Sequence, residues 1–153
     1  MTAAVIAVVG TLLGALVNSV MQQRARRLER AAEAADGRRT ARIDAVTALS
    51  VAVSDHRRAM WAVRDAQITG QPDERATELR DESHRTRSAI TEPAVRIRLL
   101  IRDQAVRTAA EAAIQATYVM RTAETTAELQ RMRAAAVTAH DGLIDAAGRH
   151  LDL

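Results

Sequence analysis

The chain has 153 residues, enough for one membrane-length segment plus one domain of roughly 100 to 130 residues, and too few for a second independent core. Cysteine is absent, which excludes disulfides, zinc–thiolate sites and cysteine nucleophiles, and apart from Trp61 and Tyr118 there are no aromatic residues. All 22 basic residues are arginine against 19 acidic ones, a balance that a GC-rich genome produces by enriching Arg and Ala codons together, so net charge alone does not argue for nucleic acid.

A core without Phe must be filled by Ala, Val, Leu and Ile, which favours closely spaced helices over a β-sandwich or a deep ligand pocket. The first candidate element is AAVIAVVGTLLGALVNSVM, the 19 uncharged residues from Ala3 to Met21. As a helix it would cover about 28 Å, close to the roughly 30 Å of a bilayer's hydrocarbon core. Its large aliphatic residues favour insertion by about 3 to 5 kcal/mol in sum. A cleaved signal peptide is one rival, since Val17-Asn18-Ser19 is small enough for a cleavage site, but no basic residue precedes the apolar run. A helix buried in a protein core is the other. The arginines that follow, Arg24, Arg26 and Arg27, set the expected orientation by the positive-inside rule. The expectation is a single-pass protein of the cell membrane, with its N-terminus outside and its C-terminal domain cytoplasmic.

On a helical wheel at about 100° per residue, Ala3, Ala7, Gly10, Thr11, Gly14, Ala15 and Asn18 gather on one half and nearly all the large residues on the other. A flank of small residues in lipid suits close approach of a second helix, with Gly10 and Gly14 as a GxxxG pair. The expected homo-oligomer interface is therefore Ala7, Gly10, Thr11, Gly14 and Asn18, with the Asn18 amide either fixing the register or solvated by headgroups. Between Gln22 and Arg42, seven arginines face Glu29, Glu33 and Asp36. Arg24, Arg26, Arg27 and Arg30 are the candidates for anionic lipid. A nucleic-acid contact by Arg24 to Arg42 is the alternative, weakened by the interleaved carboxylates and the lack of stacking aromatics.

Further along, Ile43, Val46, Leu49, Val53, Met60 and Trp61 recur at steps of three, four and seven and extend the first helix to about Ile68. Thr69-Gly70-Gln71-Pro72 ends it, with Gly where a left-handed residue is wanted and Pro where the next helix can start. Asp73 and Glu74 open a second helix, to about Thr91, whose thin stripe of Ala76, Leu79, Ser83 and Ile90 suits the outside of a bundle. Glu92-Pro93 opens a third, in which Val95, Ile97, Leu99, Leu100, Ile101 and Val106 lead into the Ala-rich run Ala109 to Ala116. Thr125 with Glu128 reads as a capping box, and Leu129, Met132, Ala136, His140, Leu143, Ala147 and Leu151 form a heptad-like, coiled-coil stripe. The fold expectation is all-α: a transmembrane helix at 3–21, a basic juxtamembrane helical segment at 22–42, and an antiparallel bundle of about four helices at 43–153.

Chemistry is sparse. His140-Asp141 and Asp55-His56 are neighbours that point about 100° apart on a helix, poor geometry for a catalytic dyad. Asp81 and His84 could share a face, but no further metal ligand stands at helical spacing. Trp61, after His56, Arg57 and Arg58, suits a bundle seam or a stack with arginine. No phosphate loop, nucleophile elbow or HExxH is present. The reading is a protein without catalytic, cofactor or metal residues.

Four stretches together carry a resemblance: AVVGTLLGALV in the N-terminal segment, SDHRRAMW from Ser54 to Trp61, ESHRTRSAITEPAVRIRLL from Glu82 to Leu100, and ATYVMR from Ala116 to Arg121. The pattern resembles the small actinomycete proteins called KilB-type, after a Streptomyces plasmid protein involved in the spread of plasmid DNA through the mycelium. The resemblance implies a membrane-associated, self-associating protein and carries over no active-site residues. The functional expectation is thus a membrane-anchored, self-associating scaffold or accessory protein in plasmid spread, with an unknown protein partner. A nucleic-acid-binding protein and a small oligomeric pore, with Thr11 and Asn18 on its lumen, are the alternatives.

Overall fold

The computed structural model describes residues 2–151, with side chains described from residue 21 onward except that of Ala25. Among the described residues the fold is all-α, with helices α1 (Thr2–Thr69), α2 (Asp73–Ala89), α3 (Thr91–Leu100), α4 (Gln104–Val119) and α5 (Thr126–Leu151), and a 3-10 turn at Met120–Thr122. The chain divides into two units, Met1–Arg39 and Thr40–Leu153.

Among the described residues, no helix is long and apolar enough to cross a membrane. This overturns the expected single-pass cell-membrane localisation, with its outer N-terminus and cytoplasmic domain, and the transmembrane part of the expected fold. In the part of α1 whose side chains are described, Arg24, Arg26, Arg27, Glu29 and Arg30 are all exposed, and a stretch so charged does not enter hydrocarbon. The side chains of the apolar run itself, including the expected interface residues Ala7, Gly10, Thr11, Gly14 and Asn18, lie outside the described residues. Thr11 and Asn18, which the pore reading sets on its lumen, are among the residues of this run.

In the second unit Val46, Leu49, Val53, Met60, Ile97, Ile101 and Val106 are buried as the periodicity selects, whereas Val95 and Leu99 are exposed. Ala45, Leu49, Ala52 and Val53 of α1 pack in one cluster with Ile97 and Ile101, with Val106, Ala110 and Ala113 of α4, and with Leu143 and Ala147 of α5. A second cluster joins Met60 of α1 to Met120, Ala123, Leu129 and Ala136. Alanine and methionine thus fill what Phe would fill elsewhere: small residues let the helix backbones approach, and the flexible Met side chains occupy the gaps.

The helix ends are fixed by identifiable groups. Gly70 has φ +68°, the left-handed conformation, and Gln71 N–H donates to Ala66 C=O at 2.9 Å, the long hydrogen bond of a Schellman C-cap. At the start of α5, Glu128 N–H donates to Thr125 Oγ1 at 3.2 Å, while Glu124 N–H donates to the Glu128 carboxylate at 2.8 Å. The capping box is therefore formed, with its return bond made one residue upstream of the usual place.

The expected third helix is two. It ends at Leu100, Ile101 is extended at φ −117°, ψ 117°, and α4 begins after Asp103, whose Oδ1 accepts from Val106 N–H at 3.0 Å. The three-residue corner leaves carbonyls at the end of α3 without helical partners, and two arginines answer them. Arg107 donates from Nε to Ile101 C=O and from a terminal nitrogen to Arg98 C=O, both at 2.7 Å, and Arg42 Nε donates to Leu100 C=O at 3.0 Å. Removing the cap by Asp103→Ala is expected to cost about 1 kcal/mol, read as a lower denaturant midpoint at unchanged slope. A midpoint equal to that of the native protein would contradict the assigned cap.

Candidate functional site

The buried polar groups of the bundle are the natural place to look for chemistry, because an interior polar atom must be hydrogen-bonded or it destabilises the fold. His56 (1% exposed), Thr86 (4%) and Thr117 (0%) are the buried polar residues among those described. His56 stands on α1 one turn beyond the buried Val53, and Thr86 is the buried residue of α2. Their contact, His56 Nδ1 to Thr86 Oγ1, measures 3.1 Å. The Thr86 hydroxyl also lies 3.0 Å from Glu82 C=O and 3.1 Å from Ser83 C=O. A hydroxyl has one proton, and carbonyls only accept, so Thr86 donates to its own helix and receives the Nδ1–H of a neutral His56.

Two further groups close the cluster. The Tyr118 ring meets the His56 ring edge-on, with centroids 5.4 Å apart and planes at 79°, and the Arg87 guanidinium lies 4.7 Å from the Tyr118 centroid. The pKa of His56 is pushed down to about 4, first by burial and then by the charge of Arg87. The His56 ring is 1% exposed and is met edge-on by Tyr118. The cluster binds α1, α2 and α4 together.

The other sequence candidates separate. Asp55 turns to Arg58 as an exposed ion pair, away from His56. His140 Nδ1 does reach the Asp141 carboxylate, at 3.2 Å, although adjacent helix positions diverge. Asp141 is largely exposed, and the pair orients the ring of a partly buried histidine. No group of three or more potential metal ligands occurs among the described residues, Asp81 and His84 included. Trp61 satisfies both sequence readings, packing beside the Met60 and Met120 cluster and carrying the Arg133 guanidinium 5.1 Å from its ring centroid. Sequence reasoning missed Thr86 and Tyr118 as partners of His56. The signal that could have found them is a hydroxyl at 86 on the stripe of Leu79, Ser83 and Ile90.

The surface is more informative than the interior. Arg24, Arg26, Arg27 and Arg30 are all exposed. Grooves line the bundle. One, of about 550 Å³ between α3 and α4, is walled by Ile90, Ala94, Arg98, Ile114 and Tyr118 and bridged by the exposed Arg98–Glu111 pair at 3.0 Å. Another, of about 640 Å³ between α1 and α5, is walled by Ile43, Val46, Ser50, Val51, Ile144 and Gly148. Val51 (56% exposed), Val137 (37%) and Ile144 (47%) present aliphatic surface on this α1/α5 side.

The described residues thus form an all-helical bundle with a buried polar cluster between helices and apolar side chains on its outer grooves. The chain belongs to the KilB family: the family described as "KilB plasmid transfer protein" matches residues 43–151. Protein KilB of Streptomyces lividans is 43% identical over 149 residues, covering 97% of each chain. No solved structure matches. The resemblance carried by SDHRRAMW, ESHRTRSAITEPAVRIRLL and ATYVMR falls within the matched residues, in the second unit.

Proposed function

We propose that this protein serves plasmid spread as a self-associating helical scaffold, without catalysing a reaction. The observation that supports the role is membership of the plasmid transfer family. The observation that supports scaffolding is the exposed aliphatic surface of Val51, Val137 and Ile144, of the kind that marks protein contacts. The test is genetic and biochemical together. A plasmid in whose host this gene is deleted is expected to spread less far from the donor colony, and the purified full chain is expected to sediment as an oligomer. Unchanged spread would refute the role, and a monomer at tens of micromolar would refute the scaffold.

A second, narrower reading concerns the exposed arginines of α1. Arg24, Arg26, Arg27 and Arg30 suit a peripheral contact with anionic lipid headgroups, each well-placed charge contributing up to about 1 kcal/mol. Flotation of the full chain with phosphatidylglycerol vesicles is expected at low salt and is expected to be lost when the four are changed to Gln. Retention on DNA with no flotation would favour the nucleic-acid alternative instead.

A further inference from the structure

We propose that the α1/α5 face is an isologous dimer interface in which a second copy docks antiparallel, α1 on α1 and α5 on α5, about an axis at the level of Val51 and Ile144. This rests on the self-association proposed above and specifies its geometry.

The face is built from two helices running in opposite directions. Ile43 to Val51 of α1 share one groove with Ile144 to Leu151 of α5, and Trp61 shares the next with Gln130 to Thr138. Val51 and Ile144 therefore stand at the same height, and the two residues are 56% and 47% exposed. Along α5, Ala134, Val137, Asp141, Ile144 and Gly148 repeat at steps of three and four, an outer seam distinct from the buried seam of Leu129, Ala136, Leu143 and Ala147. The bundle covers the buried seam with α1 and α4 and leaves the outer seam largely exposed.

The polar groups mark the same side as incomplete. Among the described residues, the buried side-chain atoms without a hydrogen-bond partner are Ser50 Oγ and one terminal nitrogen of Arg57. Ser50 lines the groove beside Val51. Arg57 lies among Arg58, Arg133 and Asp141, and its pKa is lowered by burial first and then by Arg133 and Arg58. The face thus differs along its length: Arg57, Arg58 and Arg133 crowd one end with Asp55 and Asp141, and at the other Asp44 is exposed, with Asp145 and Arg149 on the groove beside it.

That polarity selects the mode of docking. A twofold axis parallel to the helices would set like ends together. An axis across them, through Val51, exchanges the ends: position 44 of one copy meets position 58 of the other, and 47 meets 55. Asp44 then approaches the partner's Arg58 and Arg57, and the Thr47 hydroxyl approaches the partner's Asp55, which already holds Arg58. Symmetry makes each contact twice, as in any isologous interface. Between these charged ends Val51 and Ile144 pack on their counterparts.

The absence of cysteine makes the register directly readable in the full chain. Val51→Cys alone is expected to crosslink to itself under mild oxidation. Asp44→Cys and Arg58→Cys are each expected to crosslink poorly alone and efficiently when mixed. In sedimentation equilibrium, Asp44→Arg is expected to weaken dimerisation at least tenfold, and Asp44→Arg with Arg58→Asp to restore it. A monomeric native chain would overturn this geometry together with self-association. A native dimer in which the 44/58 mixture stays uncrosslinked, or in which each crosslinks to itself, would overturn the antiparallel face and leave self-association standing.

Discussion

Leu49→Ala is expected to destabilise the bundle by about 3 kcal/mol and to lower its melting temperature by roughly 10 to 15 °C. Leu49 is 0% exposed and sits in the cluster where α1 meets α3, α4 and α5. Deleting three buried carbons removes their transfer free energy and leaves a void that rigid helices cannot fully close. The neighbours Ala45, Ala52 and Ala110 are themselves too small to swing into the space. Leu99→Ala, at a side chain 75% exposed, is the matched comparison and is expected to stay within about 0.5 kcal/mol of the native protein. Scanning calorimetry of the two variants checks the assignment. Equal melting temperatures would mean that Leu49 is not at the centre of the core.

The second large effect is a pH dependence owed to His56. In the unfolded chain this histidine titrates near 6.5, and in the folded protein near 4. Between these values the unfolded chain binds more protons than the native one, so stability falls as pH is lowered. The contribution is fully present above about pH 6.5 and is lost progressively down to about pH 4, with a total of about 3 kcal/mol and about 2 of it gone by pH 5. Titrating carboxylates add their own acid sensitivity, and His56→Gln separates the two. The amide keeps a donor for the Thr86 hydroxyl but has no proton to bind, so the variant should lose much less stability between pH 7.5 and 5. Urea unfolding at the two pH values gives the comparison, and parallel losses in the native and Gln proteins would sink the assignment.

The helices were legible wherever a local physical rule sets them. Thr69-Gly70-Gln71-Pro72 needs a left-handed residue and a start site, and Thr125 with Glu128 is a short-range reciprocal bond, so both were readable from spacing. The corner at Ile101 to Asp103 was not. Its flanking residues, Val95 to Val106, are apolar at roughly helical intervals, and an aspartate in such a run reads equally as an exposed helical residue or as a cap. What selects the cap is tertiary: Arg42, nearly sixty residues upstream, binds the carbonyl that the break frees. His56 failed to declare itself for the same reason. Its sequence neighbour Asp55 invites a dyad, whereas its partner Thr86 is thirty residues away on another helix. The apolar run before Met21 suggested a bilayer through length and hydropathy, the two properties that local sequence reports best. Among the described residues, no helix is long and apolar enough to cross a membrane.

The corner between α3 and α4 gives the exclusive use of arginine a structural meaning. One guanidinium, that of Arg107, serves the Ile101 and Arg98 carbonyls at once, because its donors diverge within a plane. An ammonium on a linear stem would have to choose between them, and its tight hydration shell would resist the half-buried position. The arginine is thereby a constraint on the protein: exchanging it for lysine would preserve charge and still unfasten the bend.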